Sequence, residues 1–137
     1  MVSSELQSPR LILRQWTPED ARFLYQLNLD PQVLEYTGDG AFESVHDARA
    51  FIENYRQYQL HGFGRWLIVR HADGAKLGWC GLRRADNRLE VDLGFRLAQE
   101  YWGQGYASEA ALACLNYGHQ YLEIPEIIAR THRRNLR

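Results

Sequence analysis

The stretch that most constrains this chain runs from residue 91 to residue 113, VDLGFRLAQEYWGQGYASEAALA. Val91, Leu93, Phe95 and Leu97 alternate with Asp92, Gly94 and Arg96, the period-2 pattern of a strand with one buried face. Trp102-Gly103-Gln104-Gly105-Tyr106 comes next. Two glycines one residue apart let the backbone fold tightly and leave its N–H groups uncovered. Small and apolar residues at 107, 111, 114, 115, 118 and 122 then mark one face of a helix. A helix N-terminus carries unpaired N–H groups and a partial positive charge, so a bare glycine loop feeding into it is a ready site for a pyrophosphate. A Gly-x-Gly alone is also a common turn before a helix; the preceding strand and the Ala-rich helix give it weight here.

The rest of the chain supplies a sheet around this unit. A strand is predicted over 10–16, and Thr17-Pro18-Glu19-Asp20 reads as a helix start with Thr as N-cap and Pro in the first turn. That helix turns Ala21, Leu24 and Leu27 inward and stops by Pro31. A short helical turn at 33–36 and a loop at 37–40 follow. Ser44 and Asp47 resemble a capping box opening a helix through Leu60, with Ala48, Phe51, Ile52 and Tyr55 on one face. Strands at 65–71 and 76–84 are joined by the hairpin turn Ala72-Asp73-Gly74. Gly78 and Gly81 suggest a bend or a close backbone approach in the second of them. Asp86-Asn87 turns the chain into a strand over 88–97, and a last strand covers 126–131. The order β, α, α, β, β, β, α, β predicts an α/β fold with a mixed sheet, antiparallel N-terminal strands and one helical crossover.

With 137 residues the chain is read as a single domain, 1–137. Its 16 basic and 17 acidic residues give a net charge of -1, which offers no electrostatic reason to expect nucleic acid as main partner. Basic residues do crowd its end, at Arg130, His132, Arg133, Arg134 and Arg137. No apolar run approaches the ~18 residues of a membrane span, and the first residues lack the basic and apolar regions of a secretory signal. Cys80 and Cys114 have no metal-ligand spacing. They read as buried free thiols in a reducing cytoplasm, and no metal is expected.

Three stretches resemble the GNAT superfamily of N-acetyltransferases, most closely the branch of the ribosomal-protein N-terminal acetyltransferases of the RimJ/RimL type. They are Ser8-Pro9-Arg10-Leu11-Ile12-Leu13-Arg14 with Pro18-Glu19-Asp20-Ala21, the segment from Asp92 to Ala110, and Ile128-Ala129-Arg130-Thr131 with Asn135. The resemblance implies a GNAT fold in which the strand 88–97 splays from the strand 126–131, with the pantetheine arm of acetyl-CoA in the gap. It assigns the backbone N–H groups near Phe95, Arg96 and Leu97 to the acetyl carbonyl and pantetheine, with a bulge at Gly94. It turns Gly103, Gln104, Gly105, Tyr106 and Ala107 toward the pyrophosphate, with Trp102 either on the ligand or packed on the sheet. The family pattern opens this loop with Gln or Arg, where this chain has Glu100. Asn135 would bond the pantetheine or a neighbouring loop.

Acetyl transfer to an amine needs a held thioester, donors for the developing oxyanion, and a route for the amine's proton. Asp92 stands where this branch often has a glutamate proposed as base, directly or through water. Glu90 shares its strand face, as does Arg96, so a solvated face or an Asp–Arg pair is the alternative. Tyr36, Phe42, Phe63, Trp66 and Trp79 are candidates for the acceptor pocket, although for the two tryptophans, both on strands, core is the better reading. No histidine is assigned a role. The acceptor expected is a primary amine: a protein N-terminal α-amine or a small amine. Family members continue beyond Asn135 with a helix that often supplies the acid for the leaving thiolate, commonly Tyr or Ser. The resemblance therefore implies a C-terminally truncated enzyme with an open strand edge, shielded in a homodimer or accompanied by impaired turnover. The rival reading is a non-catalytic CoA-binding or regulatory domain. A nucleotide-binding module would need a Lys or a second carboxylate beside Gly103 and Gly105, which Glu109 alone does not supply.

Overall fold

A computed structural model of the protein describes residues 5–30, 41–84, 91–124 and 126–129. Within them the alternating segments form strands β1 (Glu5–Gln7), β2 (Leu11–Arg14), β3 (Arg65–Arg70), β4 (Lys76–Arg84), β5 (Val91–Leu97) and β6 (Ile127–Ala129). They lie side by side in chain order. Neighbours are antiparallel as far as β5, and β5 runs parallel to β6. The helices are α1 (Ala21–Leu27), entered through a 3-10 turn at Pro18–Asp20, then α2 (Val45–Glu53), α3 (Gln57–His61) and α4 (Tyr106–Gln120). The parallel pair is joined through α4, the crossover that the sequence order predicts.

Strand β1 was not predicted: at three residues, with only Leu6 buried between exposed neighbours, it has no periodicity to read. The predicted helix from Ser44 to Leu60 opens as expected, with Asp47 N–H donating to Ser44 Oγ. It then breaks in two. Asn54 Nδ2 donates to the Ala50 carbonyl (2.8 Å) and closes α2. The chain turns so that Tyr55 and Tyr58 both reach the backbone of Arg65: the Arg65 N–H donates to Tyr55 Oη (2.9 Å), and Tyr58 Oη donates to the Arg65 carbonyl. Helical spacing places these rings on an apolar face but carries no information about their hydroxyls. The turns expected at 33–36, 37–40 and Asp86-Asn87 lie outside the described residues.

Helix α4 covers one face of the sheet through Tyr106, Ala110, Cys114 and Gly118, an i, i+4 line one position before the predicted one at 107 and 111. Ala107, Ala111 and Leu115 pack half-buried beside it. Its partners include Cys80, Leu82, Val91 and Leu93, all buried. Cys80 and Cys114 are free and buried, their sulfurs 3.7 Å apart. On the opposite face Ala21, Leu24, Ala48 and Ile52 form a smaller core under α1 and α2.

Asp20 fastens α1 to that face. It is 1% exposed. It accepts from both terminal nitrogens of Arg14 (2.9 and 3.0 Å), from Lys76 Nζ (2.7 Å) and from the Thr17 N–H (2.8 Å). Burial alone would push its carboxyl up. Arg14, Lys76 and the Thr17 amide overcome that and hold it far below the ordinary 3.8. A carboxylate held low stabilises the fold above its unfolded pKa, and the contribution is lost as pH falls toward the folded value. Asp20→Asn should cost about 2–3 kcal/mol, reduced from a fully buried pair because both cationic partners are a third exposed. Melting curves between about pH 6 and pH 2 should show the wild type losing stability below about pH 4 and the variant losing much less. Parallel slopes would remove Asp20 from this role.

Candidate functional site

The site is built around β5. Against β4 the register is continuous from Val91↔Arg84 to Leu97↔Gly78. Against β6 the described pairs are Val91↔Ile127, Asp92↔Ile128 and Leu93↔Ala129, and the next positions of that register lie outside the described residues. The Ala98 N–H donates to the Leu77 carbonyl (2.9 Å). Since N–H direction alternates along a strand, Arg96 and Gly94 also turn their amides to β4, while Phe95 and Leu97 turn theirs away from it. Of the three expected backbone donors, those of Phe95 and Leu97 therefore point away from β4, and that of Arg96 points toward it.

The bulge expected at Gly94 is not there: Gly94 sits opposite Gly81 in unbroken register, and the sheet's shift falls between Ile68 and Val69 in the β3–β4 pair. Gly94 leaves room for the end of the Arg65 side chain. A Cβ there would lie 2.8 Å from Arg65 Nη1. Gly81 meets the same demand more severely, since its Cβ would lie 2.0 Å from the Gly64 carbonyl oxygen. Here the close approach, rather than a bend, is the right reading of the strand glycines.

Beyond β5 the chain makes a 3-10 turn (Gln99–Tyr101), and the glycine loop follows. Trp102 Nε1 donates to the Leu97 carbonyl (2.9 Å), tying the loop to the end of β5 while the ring packs half-buried against the core. Gly103 and Gly105 have φ of 75° and 82°, the left-handed region that favours glycine, and both are exposed. The N-cap of α4 is Gly105, which has no side chain to cap the helix start. Gln104 Nε2 donates to the Glu100 carbonyl, and the Glu100 residue itself is exposed.

Two arginines flank this loop. Arg10 Nη1 donates to the Gln104 carbonyl (3.1 Å), and its guanidinium lies 4.4 Å over the Tyr106 ring. Arg70 Nη1 donates to Tyr106 Oη (3.2 Å). Glu109 orients Arg10 by accepting from its Nε (2.7 Å) and its backbone N–H (2.8 Å), and it also accepts from Ser8 Oγ. Neither arginine was predicted as a site residue. They meet because Leu11 pairs with Arg70 across β2 and β3, a proximity with no trace in linear spacing.

The even-numbered side chains of β5 face a cavity of about 390 Å³ between the sheet and the α1–α2 layer. Its floor holds Arg65, Trp79, Arg83 and Arg96, and its roof includes Leu24, Phe42, Phe51 and Ile52. Asp92 lies under this floor, 9% exposed, bridging Arg65 Nη2 (Oδ1, 3.4 Å) and Arg83 Nη2 (Oδ2, 3.1 Å). The expected Asp–Arg pairing thus exists, with Arg65 and Arg83 as partners in place of Arg96. Arg65 Nη1 also donates to the Gly81 carbonyl (2.9 Å). Burial lowers the Arg65 pKa and Asp92 opposes that; a guanidinium stays charged regardless. The Trp79 ring lies 4.8 Å from the Arg65 guanidinium and 5.5 Å from that of Arg96. Arg96 is 3% exposed and donates to Asn28 Oδ1 from α1.

Phe42 and Trp79 of the expected pocket residues are here; Trp79, whose place on a strand favoured a core reading, is half-buried on the cavity floor. Phe63 and Trp66 are core, at 2% and 1% exposure. His46, His61, His71 and His119 are absent from the lining. Glu90, Tyr36 and Asn135 lie outside the described residues.

The model of the GNAT acetyltransferase domain matches residues 10–137. Among curated proteins, the uncharacterized N-acetyltransferase p20 of Bacillus licheniformis is 32% identical over 132 residues, 95% of this chain and 74% of that protein. The FsC-acetyl coenzyme A-N(2)-transacetylase of Aspergillus fumigatus is 29% identical, over 92% of this chain and 57% of its own length. Among solved structures, an acetyltransferase from Agrobacterium tumefaciens superposes with a TM-score of 0.83 at 23% identity, covering 99% of this chain and 78% of that one, a likeness of fold.

The crowding at Gly94 gives a direct test of the floor. Gly94→Ala should displace the Arg65 guanidinium from Gly81 and Asp92 and cost about 1–3 kcal/mol in chemical denaturation, with a change in tryptophan emission as the cation leaves Trp79. A loss within about 0.5 kcal/mol, the range of an unconstrained surface site, would show that Arg65 has room elsewhere.

Proposed function

The chain belongs to the GNAT acetyltransferase family, and from that premise we propose that it transfers an acetyl group from acetyl-CoA to a primary amine, either a protein N-terminal α-amine or a small amine. The reaction is direct attack within a ternary complex. The observation that carries this reading is the arrangement around β5: the glycine loop, with Gly103 and Gly105 at left-handed φ, leads from its end into α4, and a cavity lined by Arg96 of the same strand lies between the sheet and the α1–α2 layer.

The residues fit the coenzyme. The loop amides from Gly103 to Ala107 and the start of α4 suit a diphosphate, with the guanidiniums of Arg10, paired with Glu109, and Arg70, paired with Asp73, beside them. Acetyl-CoA, when bound, supplies an activated acetyl group and a thiolate to leave. The outward amides of Phe95 and Leu97 are the donors for the acetyl oxygen as charge develops on it. The cavity takes the acceptor. Asp92, with both oxygens on guanidiniums, reaches the acceptor's proton through water, so the amine reacts from its neutral fraction.

Thiol release from acetyl-CoA with a panel of amines tests the reading. Release that depends on an amine supports it; coenzyme binding without release with any amine would favour a non-catalytic CoA-binding domain. The rate constant kcat/KM should rise with pH up to the acceptor's own amine pKa, and a profile independent of the amine chosen would contradict the neutral-amine step. Gly103→Ala and Gly105→Ala should raise KM for acetyl-CoA about tenfold or more, since each puts a methyl on a left-handed residue of the loop, while costing only about 1 kcal/mol of stability. Unchanged KM in both variants would take the diphosphate away from this loop.

A further inference from the structure

Resting on the acetyl-transfer reading above, we infer that the acceptor is a small amine carrying a carboxylate and an apolar body, an α-amino acid with an apolar side chain, and not a polyamine. Among the described residues, the cavity floor carries more cations than carboxylates. Arg65 and Arg83 bracket one carboxylate, Asp92, which leaves one positive charge over within that cluster. A second amine of a polyamine would enter this field against like charge, and none of the described lining residues is a carboxylate.

A carboxylate meets the opposite conditions. Arg83 is half exposed, and among the described residues its guanidinium donates one hydrogen bond, from Nη2 to Asp92. The planar fork has five N–H donors and suits a carboxylate in bidentate fashion. Asp92 and the Gly81 carbonyl fix Arg65 beside it, so that part of the floor is set before a ligand arrives. Over the floor, Leu24, Phe42, Phe51 and Ile52 offer an apolar roof. A volume of about 390 Å³ lies in the range of small-molecule sites.

Three acceptors of one shape separate the alternatives: phenylalanine, phenethylamine, which lacks only the carboxylate, and phenylalaninamide, which mimics a protein N-terminus. Spermidine is the polyamine arm. With kcat/KM corrected for each amine's neutral fraction, phenylalanine should exceed the other three by about tenfold or more, the scale of one charge-assisted contact. Arg83→Gln should pull the phenylalanine-to-phenethylamine ratio toward one, a readout that general loss of fold does not move. A ratio near one in the wild type, or preference for phenylalaninamide or spermidine, overturns the inference while leaving acetyl transfer standing. Calorimetry of N-acetylphenylalanine against N-acetylphenethylamine, each with CoA present, needs no turnover. Selective binding of the carboxylate product by a protein that transfers nothing would keep the inference and remove the transfer reading; no selectivity and no turnover would remove both.

Discussion

Everything about this site depends on β5, which is hydrogen-bonded to β4 along its whole length. N–H direction alternates along a strand, so Phe95 and Leu97 turn their amides away from β4. The next element is the glycine loop, whose Gly103 and Gly105 sit at left-handed φ ahead of α4. Trp102 joins the two by donating its indole N–H to the Leu97 carbonyl. The end of β5 and the loop are thus tied together by a side chain of the loop itself.

The other face of the same strand is built by a different device. A guanidinium laid flat on a sheet needs a gap beneath it and fixed acceptors around it. Gly81 and Gly94, paired across β4 and β5, provide the gap, and Asp92 with the Gly81 carbonyl provides the acceptors. The α2–α3 break then clamps the Arg65 backbone between two tyrosine hydroxyls. Helix α1, tethered through Asp20 and bonded to Arg96 through Asn28, closes the cavity. Each part alone is an ordinary packing feature; together they fix the direction in which a charged floor points.

How far the sequence revealed this varies with the range of the interaction. The strand–loop–helix unit was readable because its signals are local: alternation in β5, two glycines at left-handed positions, and an apolar stripe in α4. Of that stripe, Cys114 and Gly118 are on the buried line and Ala107, Ala111 and Leu115 flank it, while Tyr106 and Ala110 complete the line without having been read from the sequence. Asp92 and Arg96 were readable as sharing a face, but not as parted by Arg65 and Arg83, since cross-strand partners depend on register. The glycine of β5 was read as a bulge, whereas its neighbour in space is a side chain 29 positions away in sequence, Arg65 against Gly94. Arg10 and Arg70 escaped notice for the same reason. Their role arises from the Leu11–Arg70 pairing and from a ring, Tyr106, that both guanidiniums approach.

This also changes what the bulk charge means. A net charge of -1 argues against a broad electrostatic partner, and it says nothing about fields a few ångströms across. The chain places Arg10 and Arg70 at one end of β5 and Arg65, Arg83 and Arg96 along its face. At the loop each arginine has its own carboxylate, Glu109 for Arg10 and Asp73 for Arg70, so that pair brings donors without excess charge. On the face of the strand one carboxylate, Asp92, is bridged by two arginines, which leaves one positive charge over in that cluster among the described residues. A diphosphate would therefore be held at the loop chiefly by backbone amides, and a carboxylate at the cavity chiefly by guanidiniums.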